Sequence, residues 1–326
     1  MKIIKKGALL LAAVFLFSLA AVGCGTKKDA SVMKLGGIDV RYDVYKFAVL
    51  TERKTLETKY GKDALSGEVP DEIKKELRDG AIDFLRNIYA VLSLAPEYGV
   101  TEDAPAVVDS ANRVRLSDVA AAGGEKEFLA LIGEEGMTDE VYSFITRASV
   151  VSDELYYAMI NQGAINSDEG FVRAFLEGDG CVRVKQVLVK NDERSDEEAK
   201  KLAEKVAGLA ASGADFDELI SEYNEDMSMF GGSQGYYLMR GVMYREFEDA
   251  AFSLDVGEAS GVVRTPAGYS VIKRYEKDES YMNNHIESLK KDYFASVFAL
   301  RLEERAASLE ITDSALLDRT DDLSLN

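Results

Sequence analysis

The spacing of hydrophobic and polar positions changes twice along the chain. Over residues 34–179 the apolar positions recur at intervals of three and four, which is the spacing of amphipathic helices. One series close to helical spacing is Ile73, Leu77, Ile82, Phe84, Leu85, Tyr89 and Leu92. These helices are too apolar to stand alone in water, so we expect them to pack together as one N-terminal helical region.

Over residues 180–278 the pattern becomes mixed. Val182–Val189 is rich in valine and predicts a β-strand, and further strands are predicted at Tyr236–Leu238, Val262–Arg264 and Tyr269–Tyr275. Between them lie helical segments with clear starts: Ser195 and Glu198 have the spacing of a capping box, and Asp215 can cap a second helix. The segment is therefore predicted to be a separate α+β domain.

A helical pattern returns in residues 279–326. Its apolar positions are Ile286, Leu289, Tyr293, Val297 and Leu300. A single amphipathic helix cannot bury its own apolar face, so we expect it to pack against the helices that precede residue 180. The predicted fold class is α+β, a mostly helical module with the domain of residues 180–278 inserted in it. The acidic end, Ile311–Asn326, is expected to be loose.

The N-terminus has the features of an export signal. Lysines at positions 2, 5 and 6 precede the apolar run Ala8–Val22, which is too short to span a bilayer comfortably. The run ends in Ala21–Cys24, which resembles a bacterial lipobox, and we expect Cys24 to carry the lipid after removal of residues 1–23. An ordinary cleaved signal with an incidental cysteine is the alternative. The first interpretation makes residues 24–33 a tether and puts the protein at the extracytoplasmic face of the bacterial membrane.

Composition narrows the partners and cofactors. The net charge of −19 argues against nucleic acid as a partner. The chain has two cysteines and one histidine, His285, so we expect no metal site and no cofactor.

Three segments carry a resemblance to a known family. They read GADFDELISEYNED (Gly213–Asp226), FEDAAFSLDVGEASGVVRT (Phe247–Thr265) and GYSVIK (Gly268–Lys273). In this order they closely resemble a parvulin-type peptidyl-prolyl isomerase domain, and the whole layout resembles the PrsA-type and SurA-type extracytoplasmic foldases. The resemblance implies unfolded or nascent exported polypeptides as partners. It leaves the oligomeric state open, a homodimer included.

The resemblance also assigns roles to individual residues. Met243 and Phe247 match the family's apolar cup for proline, Tyr237 matches its aromatic wall, and Asp226 matches the polar position that faces the peptide carbonyl. Phe247 and Met243 could instead be core residues, and Asp226 could be a helix-end residue. Gln234 departs from the family, which usually has leucine there and so a more apolar wall.

The largest departure concerns two histidines of the family's site floor, which are here Gln186 and Ser270. An amide and a hydroxyl both donate and accept hydrogen bonds, so this pair can bond to each other and keep the shape of the floor. One hypothesis is a prolyl isomerase with reduced activity. The alternative is a holdase chaperone whose domain binds proline-containing segments without turnover.

Overall fold

The computed structural model describes residues 30–192 and 194–325, and the predicted α+β class is confirmed. The helices are α1 (Tyr42–Tyr60), α2 (Asp71–Leu94), α3 (Pro105–Ala122), α4 (Glu125–Glu134), α5 (Asp139–Asn161), α6 (Glu169–Glu177), α7 (Asp196–Ala211), α8 (Phe216–Tyr223), α9 (Arg245–Ser253), α10 (Glu279–Asn284) and α11 (Ile286–Ser308). The strands are β1 (Ser31–Leu35), β2 (Ile38–Arg41), β3 (Cys181–Val189), β4 (Tyr236–Met239), β5 (Val263–Thr265), β6 (Gly268–Tyr275) and β7 (Ile311–Thr312). Within the described ranges no helix is long and apolar enough to cross a membrane.

The chain forms two compact units. Within the described residues, the first comprises the chain up to Tyr89, Pro105–Ser149, and the residues from Ser308 onward. The second comprises Ala90–Ala104 and Val150–Ala307. Helices that precede residue 180 therefore occur in both units.

In the first unit the C-terminal tail is part of the packed structure, so the prediction of a loose tail is wrong. Strand β7 extends the β1–β2 hairpin, with Ile311 opposite Leu35, to give the sheet order β2-β1-β7. Asp322 is buried and accepts hydrogen bonds from Tyr45 at 2.8 Å and from Arg78 at 2.6 Å. The acidic composition suggested solvation, but this acid has a cationic partner distant in sequence.

The predicted tether also ends earlier than expected. Ser31–Leu35 is the first strand of the same sheet, and Val32 and Met33 are fully buried in it. Strand β1 is the central strand of this sheet, paired with β2 on one side and β7 on the other. The part of the tether before Ala30 lies outside the described residues, as do the signal segment and Cys24.

The second unit is built on an antiparallel sheet of order β4-β3-β6-β5. Because side chains alternate between the two faces of a strand, β3 contributes to two separate cores. Val187 and Val189 pack with α7 and α8 on one face. Val182 and Val184 pack with α9 on the other. The two faces therefore have different neighbours and different chemistry.

Helices α7 and α8 begin at the capping residues that the sequence predicts. Ser195 and Glu198 form the predicted capping box at α7, and the Asp215 side chain accepts from the first backbone N–H groups of α8. Helix α11 contacts two earlier helices of the same unit through aromatic rings. The ring centroid of Phe298 lies 5.4 Å from that of Tyr156 on α5. The ring centroid of Tyr293 lies 4.8 Å from that of Phe175 on α6. The expectation that this helix packs on helices before residue 180 is confirmed.

Candidate functional site

Gln186 and Ser270 lie side by side on the two central strands of the sheet. In the antiparallel register Gln186 is opposite Ile272 and Ser270 is opposite Leu188, so the two residues are diagonal neighbours on one face. Both are buried, with 4% and 1% of their surfaces exposed. The Ser270 hydroxyl donates to Gln186 Oε1 at 2.9 Å. The hydrogen bond that the sequence allowed is therefore present.

Asp226 continues this hydrogen-bond chain towards the surface. Gln186 Nε2 donates to Asp226 Oδ2 at 2.9 Å. A carboxylate only accepts, so the amide nitrogen must face Asp226 and the amide oxygen must face Ser270. The hydrogen-bond chain therefore runs from Ser270 through Gln186 to Asp226, and the donor in each bond is a neutral group.

Two further side chains hold the same carboxylate. Tyr236 Oη donates to Asp226 Oδ2 at 2.5 Å, and Ser228 donates to Oδ1 through its hydroxyl at 2.6 Å and its N–H at 3.0 Å. Burial acts to raise the pKa of Asp226, but the hydrogen bonds from Ser228, Tyr236 and Gln186 outweigh it and leave that pKa below its ordinary value. Asp226 is thus held as a carboxylate at neutral pH.

Asn224 fixes the loop that carries Asp226. Its Oδ1 accepts from Leu188 N at 2.8 Å and from Asp226 N at 3.2 Å, while its Nδ2 donates to the carbonyls of Asp226 and Met229 at 2.8 Å and 2.6 Å. The loop is therefore fastened to β3 beside Gln186. Sequence reasoning missed this role, although an asparagine directly after a helix is a common turn former.

Adjacent tyrosines on β4 point to opposite faces. Tyr236 is opposite Val184 and shares the face of Gln186, whereas Tyr237 is opposite Arg183 on the other face. The Tyr237 ring stacks on Tyr281, with centroids 5.0 Å apart. The resemblance assigns the aromatic wall to Tyr237, and the tyrosine that contacts Asp226 is its neighbour Tyr236. Burial and then the hydrogen bond to Asp226 raise the pKa of Tyr236 to about 12, so it remains a donor at neutral pH.

The two residues expected to form the proline cup have different surroundings. Phe247 is buried in the apolar cluster beneath α9, with Val184, Leu238 and Ile272. Met243 lies in the loop between β4 and α9 and is partly exposed. The structure therefore shows Phe247 on the Gln186 face as a core residue, while Met243 remains accessible to a ligand.

Glu248 organises the loop that carries Met243. This buried carboxylate accepts from the N–H groups of Gly241, Val242 and Met243 at 3.0, 2.9 and 2.8 Å. No sequence pattern predicts this role, because an acid in the first turn of a helix is ordinarily explained by the helix dipole.

Gln234 is held away from the floor pair. Arg183 donates to the Gln234 carbonyl at 2.7 Å and to its Oε1 at 3.0 Å. The next residue, Gly235, has φ +78°, and a Cβ there would lie 2.4 Å from the Val184 carbonyl oxygen. Only glycine fits this close approach, so the chain enters β4 in one defined conformation.

The arrangement provides an ionised carboxylate, a tyrosine hydroxyl and exposed apolar side chains close together in sequence. Met227 and Phe230, in the loop that Asn224 fastens, are 76% and 58% exposed. Across the described residues no group of His, Cys, Asp or Glu could hold a metal ion. Such a site can bind a polypeptide and perturb one of its peptide groups.

Comparison with known proteins identifies this segment. Residues 176–278 match the family described as the PPIC-type PPIASE domain. The parvulin-type resemblance is thereby confirmed for this part of the chain. The match covers less than half of the chain.

Individual relatives agree with this match. The chain is 29% identical over 172 residues to the foldase protein PrsA of Bacillus subtilis (strain 168), which covers 51% of this chain and 54% of the relative. It is 39% identical over 94 residues to the chaperone SurA of Chromohalobacter salexigens, which covers 28% of this chain and 21% of the relative. The chain thus spans about half the length of the foldase relative and less of the chaperone.

Among solved structures, the peptidylprolyl isomerase PrsA from Bacillus anthracis is similar over 71% of this chain and 100% of its own length. The sequence identity is 22% and the TM-score is 0.35. A likeness this low does not bear on function.

Proposed function

We propose that this protein is a foldase that assists the folding of exported polypeptides by peptidyl-prolyl cis–trans isomerisation. The observation that supports this most directly is the hydrogen-bond chain Ser270–Gln186–Asp226 within a segment that matches the isomerase family. Its clients would be unfolded or nascent polypeptides outside the cytoplasm.

The chemistry asked of the site is modest. An X-Pro bond rotates slowly because amide resonance gives a barrier of about 18–20 kcal/mol. Resonance puts partial negative charge on the carbonyl oxygen, and this charge decreases when the amide twists. The Asp226 carboxylate, held ionised by its donors, would destabilise the planar amide more than the twisted one if the carbonyl faces it. Met243 would contact the proline ring.

We further propose that the activity is lower than that of a parvulin with two floor histidines. Gln186 and Ser270 form a neutral pair joined by a single hydrogen bond of 2.9 Å. Such a pair holds the floor less rigidly than two hydrogen-bonded rings would, but amide rotation needs no proton transfer, so the loss would be partial.

A protease-free isomerisation assay on residues 26–326 tests the proposal. The substrate is a short Ala-Pro peptide, and exchange between its cis and trans forms is followed by NMR. The proposal predicts a rate above the uncatalysed one that falls in Asp226→Asn. A rate equal to the uncatalysed one, with the fold intact, would refute it.

A holdase chaperone is the second candidate, and one observation favours it. The floor pair is buried, so a client cannot contact it directly, whereas Met227 and Phe230 are exposed beside Asp226. Exposed apolar side chains on one loop are suited to holding unfolded chains. Suppression of client aggregation without any isomerisation would favour this candidate over the enzyme.

The location remains part of the proposal. We infer that Cys24 is lipidated and anchors the protein at the extracytoplasmic face of the cell membrane. Support comes from the basic, apolar and small-residue pattern of residues 1–24. A multiply acylated cysteine gives stable anchoring, because each buried CH₂ contributes about 0.8 kcal/mol.

A further inference from the structure

A cleft lies along β4, between this strand and helices α10 and α11 of the second unit. It has a volume of about 300 Å³. One wall is β4 with the loop that carries Met243, and the other is α10 with the first half of α11. Strand β4 is an edge strand of its sheet, so the cleft borders the open side of the sheet. Its volume is at the lower end of the range for ligand sites, which suits one or two side chains of a bound segment.

One end of the cleft is an aromatic stack of three rings. Tyr281 lies between Tyr237 and His285, with centroid distances of 5.0 Å and 3.9 Å and interplanar angles of 10° and 16°. The stack is anchored, because Tyr237 Oη accepts from Asp278 N at 2.9 Å and His285 Nδ1 lies 2.8 Å from the Tyr281 carbonyl, to which it donates. His285 is exposed and ends the stack, so a ligand ring can extend it.

The other feature of the cleft is a carboxylate that lacks a cation. Asp292 lines the cleft, and within the described ranges it has no ion pair or hydrogen bond. It remains accessible, but burial by its surroundings raises the pKa of Asp292 above its ordinary value. A ligand cation would relieve this penalty by pairing with the ionised form.

Spacing connects the two features. His285 and Asp292 are seven residues apart at the start of α11, about 10 Å at a rise of 1.5 Å per residue. Three residues of an extended chain also span about 10 Å. An extended segment could therefore place an aromatic ring on His285 and a basic side chain at Asp292. This requires that the aromatic and the basic residue of the segment are three positions apart.

We propose that this cleft binds extended polypeptide segments in which an aromatic residue and a lysine or arginine are three positions apart. Charge complementarity supports this occupant: the cleft has an unpaired acid, and the chain as a whole has a net charge of −19. The cleft adjoins the isomerase site, since Tyr236 and Met243 line it, but Tyr237 of its aromatic stack lies on the opposite face of the sheet from Gln186. The protein would then hold a client beside the proline-binding residues as well as at them.

The composition of the chain gives two clean probes for the test. There is no tryptophan, so the fluorescence of a tryptophan-bearing peptide has no protein background. His285 is the only histidine, so in untagged protein its imidazole NMR signals report on this cleft alone. The peptides are blocked Trp-Ser-Gly-Lys and its reverse, Lys-Gly-Ser-Trp, with Trp-Ser-Gly-Glu and the shortened Trp-Gly-Lys as controls.

At least one of the two basic peptides should bind and shift the His285 signals, and both controls should bind more weakly. Asp292→Asn should weaken binding about tenfold, or about 1.4 kcal/mol, because the lysine ammonium loses its charged partner. Glu287→Gln, an exposed acid on the same helix that does not line the cleft, should leave the affinity unchanged.

Three results would overturn the proposal. The first is binding that leaves the His285 signals unmoved. The second is equal affinity of wild type and Asp292→Asn for the lysine peptides. The third is binding of Trp-Ser-Gly-Glu as tight as that of the lysine peptides, which would exclude a role for charge. None of these results depends on whether the protein isomerises prolyl bonds.

Discussion

Ser270 on β6 and Gln186 on β3 are joined by a hydrogen bond of 2.9 Å across the centre of the sheet. Both side chains are buried, and Gln186 Nε2 donates a second hydrogen bond, of 2.9 Å, to the Asp226 carboxylate. The positions at which the parvulin family usually carries histidines are therefore occupied by a neutral pair in which both side chains are hydrogen-bonded. This pair supports Asp226 and does not itself meet the solvent.

Removal of the Ser270 hydroxyl should destabilise the second unit. In Ser270→Ala the buried Gln186 Oε1 loses its donor, which costs about 1–3 kcal/mol. Urea unfolding at neutral pH measures the change. Ser212→Ala is the matched control, because Ser212 is exposed and its hydroxyl contacts only a helix-end carbonyl. Equal stability of both variants would show that the Gln186 oxygen finds another donor when the Ser270 hydroxyl is absent.

Asp226→Asn should lower the isomerisation rate about tenfold, which corresponds to about 1.4 kcal/mol of transition-state stabilisation. The charge is lost, and an amide cannot accept from all the donors that now surround the carboxylate. The measurement is kcat/KM on an Ala-Pro peptide. Asp249→Asn, an exposed acid on α9, is the control. A rate unchanged in Asp226→Asn would remove this residue from the mechanism.

The same carboxylate should make stability depend on pH in acid. The folded-state pKa of Asp226 is below the ordinary value of about 3.9, so its contribution to stability is complete above that value and is lost as the pH falls through the folded pKa. The urea midpoint of wild type should therefore decline below about pH 4, and Asp226→Asn should decline less. Parallel curves for the two proteins would contradict this.

Restoring both histidines should raise the isomerisation rate. The double variant Gln186→His with Ser270→His replaces the single hydrogen bond with a pair of rings, which holds the floor more rigidly. Imidazole titrates near pH 6.5, so the rate of the variant should also become pH-dependent around that value, unlike the wild type. The rate of cis–trans exchange of the Ala-Pro peptide, measured by NMR across this pH range, checks both effects. A lower rate in a folded double variant would show that the neutral pair is not what limits activity.

The C-terminal tail should stabilise the first unit through Asp322. Asp322→Ala leaves Tyr45 and Arg78 without their shared acceptor and should cost about 3 kcal/mol, at the low end for a broken buried pair because Arg78 is partly exposed. Thermal unfolding measures this loss. Asp318→Asn is the control, since Asp318 is exposed on the same tail. A loss of stability no larger than that of the control would mean that Asp322 contributes little to the stability of the first unit.

Lipid anchoring should depend on Cys24. Cys24→Ala should move the protein from the membrane fraction to the soluble fraction, or leave it unprocessed with its apolar run intact. Metabolic labelling with a fatty acid should mark the wild type and not the variant. Equal labelling of both proteins would exclude lipidation at this cysteine.

Local physical chemistry by itself determined much of the second unit. The valine-rich run at β3, the Ser195 capping box and the Asp215 cap all depend on neighbouring residues, and each is present in the structure. The replacement of two histidines by Gln186 and Ser270 was also evident from the sequence, and so was their capacity to bond to each other, because an amide and a hydroxyl are complementary wherever a sheet brings them together.

Tertiary structure alone decided which groups meet. Two adjacent tyrosines must face opposite sides of a strand, but only the register of β4 against β3 shows that Tyr236 reaches Asp226 and that Tyr237 stacks on Tyr281. Likewise, the acidic tail is held by Asp322, whose cationic partner Arg78 lies more than two hundred residues earlier. Contacts between residues distant in sequence depend on how whole elements pack, and no local pattern encodes that packing.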